Sequence, residues 1–188
     1  MNSVQSCSEI REIAAPKYAF AEYEIQVNQG EVIFPDCKII KSQTLAQHLC
    51  GSGKCAVMAA TLGHEVDRIL RRLQYSDMAK AVAADECASA LVEEICDSAE
   101  KEIAQKAMKQ GYFTTSRYSP GYGDFSLDNQ VTVLELAGIR GVSITEDNLL
   151  LPQKSVTAII GYSKEKPLYA NKCSACSSKE KCHKNGKC

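Results

Sequence analysis

The sequence predicts an α+β protein, with a twisted, mainly antiparallel sheet and a central group of helices. Helical patterns dominate the middle of the chain, whereas strand-like runs lie towards both ends, at 32–34, 55–62, 142–144 and 155–162. Strands and helices do not alternate as they do in the βαβ units of a parallel sheet. With 188 residues, 45% of them hydrophobic, the chain can bury a substantial core and is not expected to be disordered.

Turn signals delimit the first predicted elements. Asn28-Gln29-Gly30 predicts a turn, which is followed by a short strand at Val32–Phe34 that ends at Pro35. A short helix is expected from Ser42 to Leu49. The small apolar residues from Cys55 to Leu62 then suit a buried strand.

Two helices are predicted in the middle of the chain. The first runs from His64 to Tyr75 and has apolar residues along one face. The second runs from Asp77 to about Gln110, because Ser76 or Asp77 can cap its start and Gly111 can end it. Its apolar stripe recurs every four residues, at Leu91, Ile95, Ala99 and Ile103. Seven acidic residues and a single lysine between 85 and 102 indicate a solvated helix face.

The last third of the domain begins with an irregular segment. Residues from Tyr112 to Asn129 are rich in Gly, Ser, Pro and Tyr and show neither helical nor strand periodicity. A helix is predicted from Asp128 to Ala137, and Gly138 ends it. Strands are predicted at 142–144 and 155–162, which completes the expected sheet.

Charge and composition argue against several classes of protein. The 22 basic and 23 acidic residues give a net charge of −1, which does not favour a nucleic-acid binder or a polybasic membrane protein. No stretch approaches the roughly 20 apolar residues that span a bilayer, and residues 1–7 lack the basic and then apolar pattern of a secretory signal. We therefore expect a soluble, cytoplasmic protein with one domain at 1–170 and a Cys/Lys-rich tail at 171–188.

Cysteine is the compositional outlier, with ten residues. Six are scattered, and in the absence of a secretory signal we expect them to be reduced and to pack as small core residues: Cys7, Cys37, Cys50, Cys55, Cys87 and Cys96. The histidines have no metal-ligand spacing, so His48 and His64 are expected at the surface.

The other four cysteines form the pattern Cys173-x-x-Cys176-x5-Cys182-x5-Cys188, which lies among seven lysines. The spacing matches neither a zinc ribbon nor a bacterial ferredoxin cluster. Nearby lysines favour the thiolate form, which binds metals and reacts in redox chemistry. The pattern leaves two alternatives open: an iron–sulfur or zinc site that serves electron transfer or docking, and a flexible reduced tail.

The segment Arg117–Asp124 combines groups that suit a small ligand. Gly121 and Gly123 allow the backbone to approach a ligand closely. Arg117 offers a forked cation for a carboxylate, and the two tyrosines offer rings for a nucleobase or a cation. A ligand with a carboxylate and an aromatic or cationic part would fit. An ordinary surface loop with a structural arginine is the alternative.

Three segments resemble one known family. Arg117-x-x-x-Gly121-Tyr122 resembles an Arg-Pro-x-Pro-Gly-Tyr loop, and Ile144-Thr145-Glu146…Pro152-x-x-Ser155-Val156 resembles a Leu-Thr-Glu-Ser…Pro-x-x-Ser-Val segment with identical spacing. Leu91-Val92-Glu93 is similar to a Leu-Ala-Glu helix segment. These motifs belong to the activation (reactivation) domain of cobalamin-dependent methionine synthase, and the match is to its free-standing form in anaerobic bacteria. They follow the family order over roughly residues 75–170.

The resemblance implies an S-adenosylmethionine-binding reactivation module rather than a complete enzyme. In this family, occasional oxidation strands cobalt as inactive cob(II)alamin, and a one-electron reduction with methyl transfer from S-adenosylmethionine restores it. The cobalamin signature Asp-x-His-x-x-Gly is absent from this sequence. The resemblance therefore implies cobalamin on a partner chain, either a methionine synthase without its own activation domain or another corrinoid methyltransferase. It also implies an electron donor such as flavodoxin or ferredoxin, in a pathway of methionine biosynthesis.

The resemblance also implies roles for individual residues. Arg117 would bind the carboxylate of S-adenosylmethionine, and Glu93 would accept a charge-assisted hydrogen bond from its α-amino group. Ser119 would offer backbone contacts to the adenine. A descendant that kept the fold and lost the ligand remains a third interpretation.

Three further positions complete the implied site. Gly121 belongs to the ligand-binding loop, and Tyr122 would lie at the methyl-transfer face against the corrin. Tyr169 matches a tyrosine of the family's Tyr-Tyr-Ala segment, although Leu168 replaces the first tyrosine here. Directly after Tyr122 the family's Pro-Ala-Cys-Pro is replaced by 123–126, Gly-Asp-Phe-Ser.

Overall fold

The computed structural model of the chain describes residues 3–165. The predicted α+β class is confirmed, because five helices and nine strands occur in this part of the chain. The helices are α1 (Ser3–Ile13), α2 (Gln43–His48), α3 (His64–Ser76), α4 (Met78–Lys109) and α5 (Gln130–Ala137). The strands are β1 (Lys17–Glu24), β2 (Gln26–Asn28), β3 (Glu31–Ile33), β4 (Ile39–Lys41), β5 (Ser52–Thr61), β6 (Phe113–Thr114), β7 (Ser143–Ile144), β8 (Leu150–Leu151) and β9 (Ser155–Ser163).

The strands form three antiparallel sheets. The main sheet has the order β1-β5-β9-β6, a three-stranded sheet has the order β2-β3-β4, and β7 pairs with β8. At the centre of the main sheet, Val57 lies between Ala21 on β1 and Ile159 on β9. The short β6 leaves most of the outer edge of β9 open to other segments.

The central strands β5 and β9 are buried on both faces. On one face Val57 and Ile159 pack in a core with residues of α2, α5 and the three-stranded sheet. On the other face Met58 and Ile160 pack against the apolar stripe of α4. Because successive strand residues point to opposite faces, one strand contributes to both cores.

Helix α4 is the long helix that the sequence predicts. The side chain of Asp77 accepts a hydrogen bond from the backbone N–H of Lys80 at 3.0 Å and caps the start. Gly111, just beyond the end, has φ of +76°, a conformation that favours glycine. Leu91, Ala99 and Ile103 are buried as expected. No helix in residues 3–165 is both long and apolar enough to cross a membrane.

Two elements near the N-terminus were not expected from the sequence, and the segment Tyr112–Asn129 is more ordered than predicted. Helix α1 packs against α4, and β1 pairs with β5 along eight residues. The irregular segment contains β6, an isolated bridge between Tyr118 and Ile159, and a 3-10 turn at Leu127–Asn129.

The prediction for the scattered cysteines is only partly right. Cys55 and Cys96 are free and buried, as expected. Cys37 and Cys50 are exposed, and Cys7 and Cys87 form a disulfide that joins α1 to α4. The sequence separation of 80 residues hides this pair, because only the packing of α1 on α4 brings the two side chains together.

The C-terminal predictions lie outside the described residues. This holds for Tyr169, for the four cysteines Cys173, Cys176, Cys182 and Cys188, and for the proposed boundary between residues 170 and 171. They remain predictions.

Candidate functional site

The predicted ligand loop runs along the open edge of β9. The backbone N–H of Thr115 donates to the carbonyl of Gly161 at 2.9 Å. Tyr118 exchanges two backbone hydrogen bonds with Ile159, at 3.0 and 2.9 Å. These bonds hold the segment in an extended conformation, so neighbouring side chains point to opposite sides. Arg117 therefore faces α4, and Tyr118 faces α2.

On the α4 side, three carboxylates surround one guanidinium. Nη2 of Arg117 donates to Glu93 at 3.1 Å and to Asp97 at 2.9 Å, and Nε forms an ion pair with Glu100 at 3.0 Å. The acids are spaced four and three residues apart, which places them on one face of the helix. We call these four residues the Arg117 cluster. Its carboxylates outnumber its cation, leaving a net charge of −2.

Burial within the cluster is uneven. The side chain of Arg117 is 14% exposed and that of Glu100 is 29% exposed, whereas Glu93 and Asp97 are 59% and 58% exposed. Burial alone would lower the pKa of Arg117, but the neighbouring Cys96, Glu100 and Glu93 raise it above its ordinary value. The guanidinium is therefore a permanent cation, and two of the carboxylates around it are exposed to solvent.

Cys96 lies beneath this cluster and is fully buried. Burial raises the pKa of its thiol to about 11. A thiol with so high a pKa is not a nucleophile at neutral pH, so Cys96 contributes packing rather than chemistry.

On the other side, Tyr118 lies at the centre of an aromatic group. Its ring stacks on His48 at a centroid distance of 4.7 Å and on Phe125 at 6.3 Å, and it meets Tyr122 edge-on at 5.8 Å. Phe125 is fully buried, whereas Tyr122 is largely exposed. The group thus fixes one exposed ring beside the loop that carries Arg117.

The expectation that His48 is a surface residue is wrong. Its Nε2 lies 2.8 Å from the carbonyl of Ser116, and its ring is partly covered by Tyr118. Burial lowers the pKa of His48, although the contact with Ser116 acts in the opposite direction. The histidine was missed because only the approach of α2 to the loop reveals this role. His64 is exposed, as expected.

The residues after Tyr122, where the sequence departs from the family motif, bind the start of α2. Asp124 accepts hydrogen bonds from the hydroxyl of Ser42 and from the backbone N–H groups of Gln43 and Thr44 at 2.6, 2.8 and 3.0 Å. The hydroxyl of Thr44 is a further donor. These side-chain and backbone bonds hold the pKa of Asp124 well below its usual range. The substituted residues thus have a structural role that fixes the turn.

The second family-like segment is tied to the same region. A turn forms where the N–H of Thr145 donates to the carbonyl of Leu149 at 2.9 Å. Within this turn Asn148 donates to Asp128 at 2.9 Å, which links it to the residues that follow the ligand loop. Ser155 donates to the carbonyl of Pro152 at 2.6 Å. Two segments that are far apart in sequence therefore lie together.

Most predicted site residues that the structure describes are brought together. Glu93 contacts Arg117 directly, and Ser119, Gly121 and Tyr122 lie in one turn that closes with a 2.7 Å bond from the N–H of Gly121 to the carbonyl of Phe125. Asp97 and Glu100 also contact Arg117 and were not among the predicted site residues. Their spacing of four and seven residues from Glu93 was the available signal.

Two observations limit other candidate sites. No group of three or more His, Cys, Asp or Glu residues in 3–165 could hold a metal ion. A cavity of about 540 Å³ lies between α3 and the β7–β8 hairpin, where Arg71, Tyr75 and Leu151 are among the lining residues. None of the predicted ligand-binding residues lines that cavity.

Comparison with solved structures gives the fold a precedent. The chain is similar to the structure titled "Crystal Structure of the MetH Reactivation Domain bound to AdoHcy", with a TM-score of 0.66. The match covers 89% of this chain and 66% of that chain, at 13% sequence identity. No protein-family model and no curated protein matches the chain. The chain thus has the fold of a MetH reactivation domain and spans just under two thirds of the length of that structure.

Proposed function

We propose that this protein binds S-adenosylmethionine and supports the reactivation of a corrinoid carried by a partner chain. The observation that carries the proposal is the direct pairing of Arg117 with Glu93 in this fold, on the loop that also carries the exposed Tyr122. A domain of similar fold holds AdoHcy, which differs from S-adenosylmethionine by one methyl group on sulfur. That this chain takes part in the activity of a protein like MetH, of which the matched structure is one domain, is also part of the proposal.

Side-chain atoms of Arg117 and Glu93 that are not used in their ion pair suit the amino-acid group of a ligand. Within residues 3–165, Nη1 of Arg117 has no carboxylate partner, and Oε1 of Glu93 accepts no hydrogen bond. A ligand carboxylate would accept from Nη1, and a ligand ammonium would donate to Oε1. Each bond would be charge-assisted and stronger than a neutral hydrogen bond.

The turn after Arg117 suits the rest of the ligand. Its backbone at Ser119 and Gly121 would contact the adenine, and the φ of +95° at Gly121 lets the chain approach closely. The exposed ring of Tyr122, held edge-on by Tyr118, would border the sulfonium. S-adenosylmethionine supplies the methyl group, and the chain's residues orient it towards the partner.

The partner in this proposal is a cobalamin-binding methionine synthase without its own activation domain, or another corrinoid protein. The fold that the chain shares with a MetH reactivation domain supports this choice of partner. The electron would come from a donor such as flavodoxin or ferredoxin. On this view the protein is an accessory component of a methyltransferase.

Calorimetric titration with S-adenosylmethionine tests the proposal. We expect the parent protein to bind, and Arg117→Ala to weaken binding by about 1.5–3 kcal/mol, as for a lost charged hydrogen bond. Arg140→Ala is the matched control, because Arg140 is exposed and lies outside the site. Equal affinities of the parent and Arg117→Ala would overturn the assignment of the site.

The C-terminal cysteines support a second, compatible proposal. Cys173, Cys176, Cys182 and Cys188 in a lysine-rich setting would hold an iron–sulfur cluster or zinc that transfers electrons or docks a reductase. Anaerobic purification followed by metal and sulfide analysis tests it. A metal-free protein with four free terminal thiols would overturn it.

A further inference from the structure

We propose that the cavity between α3 and the β7–β8 hairpin binds a phosphate-bearing small molecule with an aromatic ring, the chemistry of a nucleotide. The cavity has a volume of about 540 Å³, and no residue of the Arg117 cluster or of the ligand loop lines it. Small-molecule sites in proteins have volumes of about 300–1,000 Å³. The proposal goes beyond the function proposed above, because it gives the chain a second binding site.

One face of α3 supplies most of the cavity lining. Arg68, Arg71 and Tyr75 are three and four residues apart and therefore lie on the same side of the helix. The β7–β8 hairpin supplies the rest of the lining. Oδ2 of Asp67, on α3, accepts a hydrogen bond from the backbone N–H of Gln153, just beyond β8, at 2.6 Å. This bond joins the two walls of the cavity.

The charge of the lining favours an anion. Three arginines and one aspartate line the cavity, so the lining has a net charge of +2 when His64 is neutral. Arg68 pairs with Glu65 at 2.5 Å. Arg71 and Arg72 form no ion pair within residues 3–165. Guanidinium groups bind phosphate oxygens through two parallel hydrogen bonds, so these two arginines suit a phosphate group.

Two further features of the lining suit more than a phosphate group. The side chain of Tyr75 is 89% exposed, so its ring is open to stacking by a planar ligand ring. Oδ1 of Asp67 is buried and has no hydrogen-bond partner in the part of the chain that the structure describes. A buried polar atom without a partner costs free energy, and an amino or hydroxyl group of a ligand would supply the missing donor. A nucleotide combines phosphate, ring and donor.

Charge also separates this cavity from the site at Arg117. S-adenosylmethionine carries one more positive than negative charge, so the net charge of +2 in the cavity repels it. A phosphate-bearing molecule is attracted by the same charge. The two sites therefore take ligands of opposite charge, and each can be tested without the other.

Calorimetric titration with ADP, pyrophosphate and adenosine tests the proposal. We expect ADP to bind more tightly than either of the others, because it alone offers both phosphate and ring. Arg71→Gln and Arg72→Gln should each weaken ADP and pyrophosphate by about three- to tenfold, as for charge-assisted bonds at exposed side chains. Arg140→Gln is the matched control, because Arg140 is exposed and does not line the cavity.

Variants at Tyr75 test the aromatic part of the proposal. Tyr75→Ala should weaken ADP and leave pyrophosphate unchanged, whereas Tyr75→Phe should retain the parent affinity for both. Because Arg71, Arg72 and Tyr75 are exposed, we expect the melting temperatures of all these variants to match the parent.

Three results would overturn the proposal: a parent protein that does not bind ADP, an ADP affinity that is unchanged when Arg71 and Arg72 are both replaced by glutamine, or displacement of ADP by S-adenosylmethionine. Arg117→Ala should leave ADP affinity unchanged. A protein that binds ADP and not S-adenosylmethionine would overturn the proposed function and leave this inference standing.

Discussion

The two sides of the ligand loop use carboxylates in opposite ways. In the Arg117 cluster, three carboxylates pair with one guanidinium. Two of the three, Glu93 and Asp97, are more than half exposed to solvent. On the other side, a single acid, Asp124, collects donors from Ser42, Gln43 and Thr44; we call these four residues the Asp124 cap. The first arrangement has more carboxylates than cations, and the second surrounds one carboxylate with four hydrogen-bond donors.

This difference separates binding from stability. A carboxylate with several donors is satisfied, so the Asp124 cap holds the turn to α2 and has little left to offer a ligand. In the described chain Nη1 of Arg117 has no carboxylate partner and two of the acids are exposed, so the Arg117 cluster suits an incoming charged group. Changes on the cap side should therefore alter stability, and changes in the cluster should alter binding.

The largest expected effect is on the cap side. Phe125→Ala removes a fully buried ring that stacks on Tyr118 and anchors the turn, so we expect a loss of about 3–5 kcal/mol in the free energy of unfolding. Urea denaturation measures it. Tyr122→Ala, which trims an exposed ring of the same turn, should cost far less. Similar losses for both variants would contradict the division between the two sides.

A smaller loss is expected from Gly123→Ala. Gly123 has φ of +56°, and an added Cβ would lie 2.5 Å from the hydroxyl oxygen of Thr44. Strain and the clash together should cost about 1–3 kcal/mol in the free energy of unfolding. Gly53→Ala is the matched control, because nothing lies within 4 Å of a Cβ at Gly53. If Gly123→Ala leaves the free energy of unfolding unchanged, the Asp124 cap does not fix the turn.

The pH dependence of stability sharpens the comparison further. Hydrogen bonds lower the pKa of Asp124 in the folded state. Its contribution to the free energy of unfolding is therefore present above the pKa of the unfolded state and is lost as the pH falls through the pKa of the folded state. Asp124→Asn should lower the melting temperature at pH 7 and flatten its decline towards acid. Thermal melts from pH 7 to pH 2 measure this. Asp147→Asn, an exposed control, should keep the parent profile.

The smallest effect is expected at the edge of the acidic helix face. Arg11 and Glu94 form an ion pair in which both side chains are more than half exposed. Such pairs contribute little to stability. Glu94→Gln should leave both the melting temperature and ligand affinity unchanged. A loss of ligand affinity in this variant would extend the functional face beyond the Arg117 cluster.

The sequence predicted the elements whose signals are local. Helix α4 was recognisable from its four-residue apolar spacing, the cap at Asp77 and the stop at Gly111. Strand β5 was recognisable as a run of small apolar residues. In contrast, β1 is an edge strand whose residues are only partly buried, so its pattern is weak.

The candidate site was predictable in part for the same reason. The motif around Arg117 and Tyr122 is contiguous, and Glu93 was found through its helix motif. The spacing of Asp97 and Glu100 from Glu93 places them on one helix face, but the contact of that face with Arg117 depends on how the helix lies against β9. The stacking of His48 on Tyr118 and the pairing of Cys7 with Cys87 depend on tertiary packing in the same way.

A crystal structure of the protein with S-adenosylmethionine would test the central claim most directly. We predict the ligand carboxylate within hydrogen-bond distance of Nη1 of Arg117, its ammonium at Glu93, and its sulfonium between Tyr122 and the acidic face of α4. A ligand seated in the cavity between α3 and the β7–β8 hairpin, with Arg117 still paired only to α4, would contradict the account.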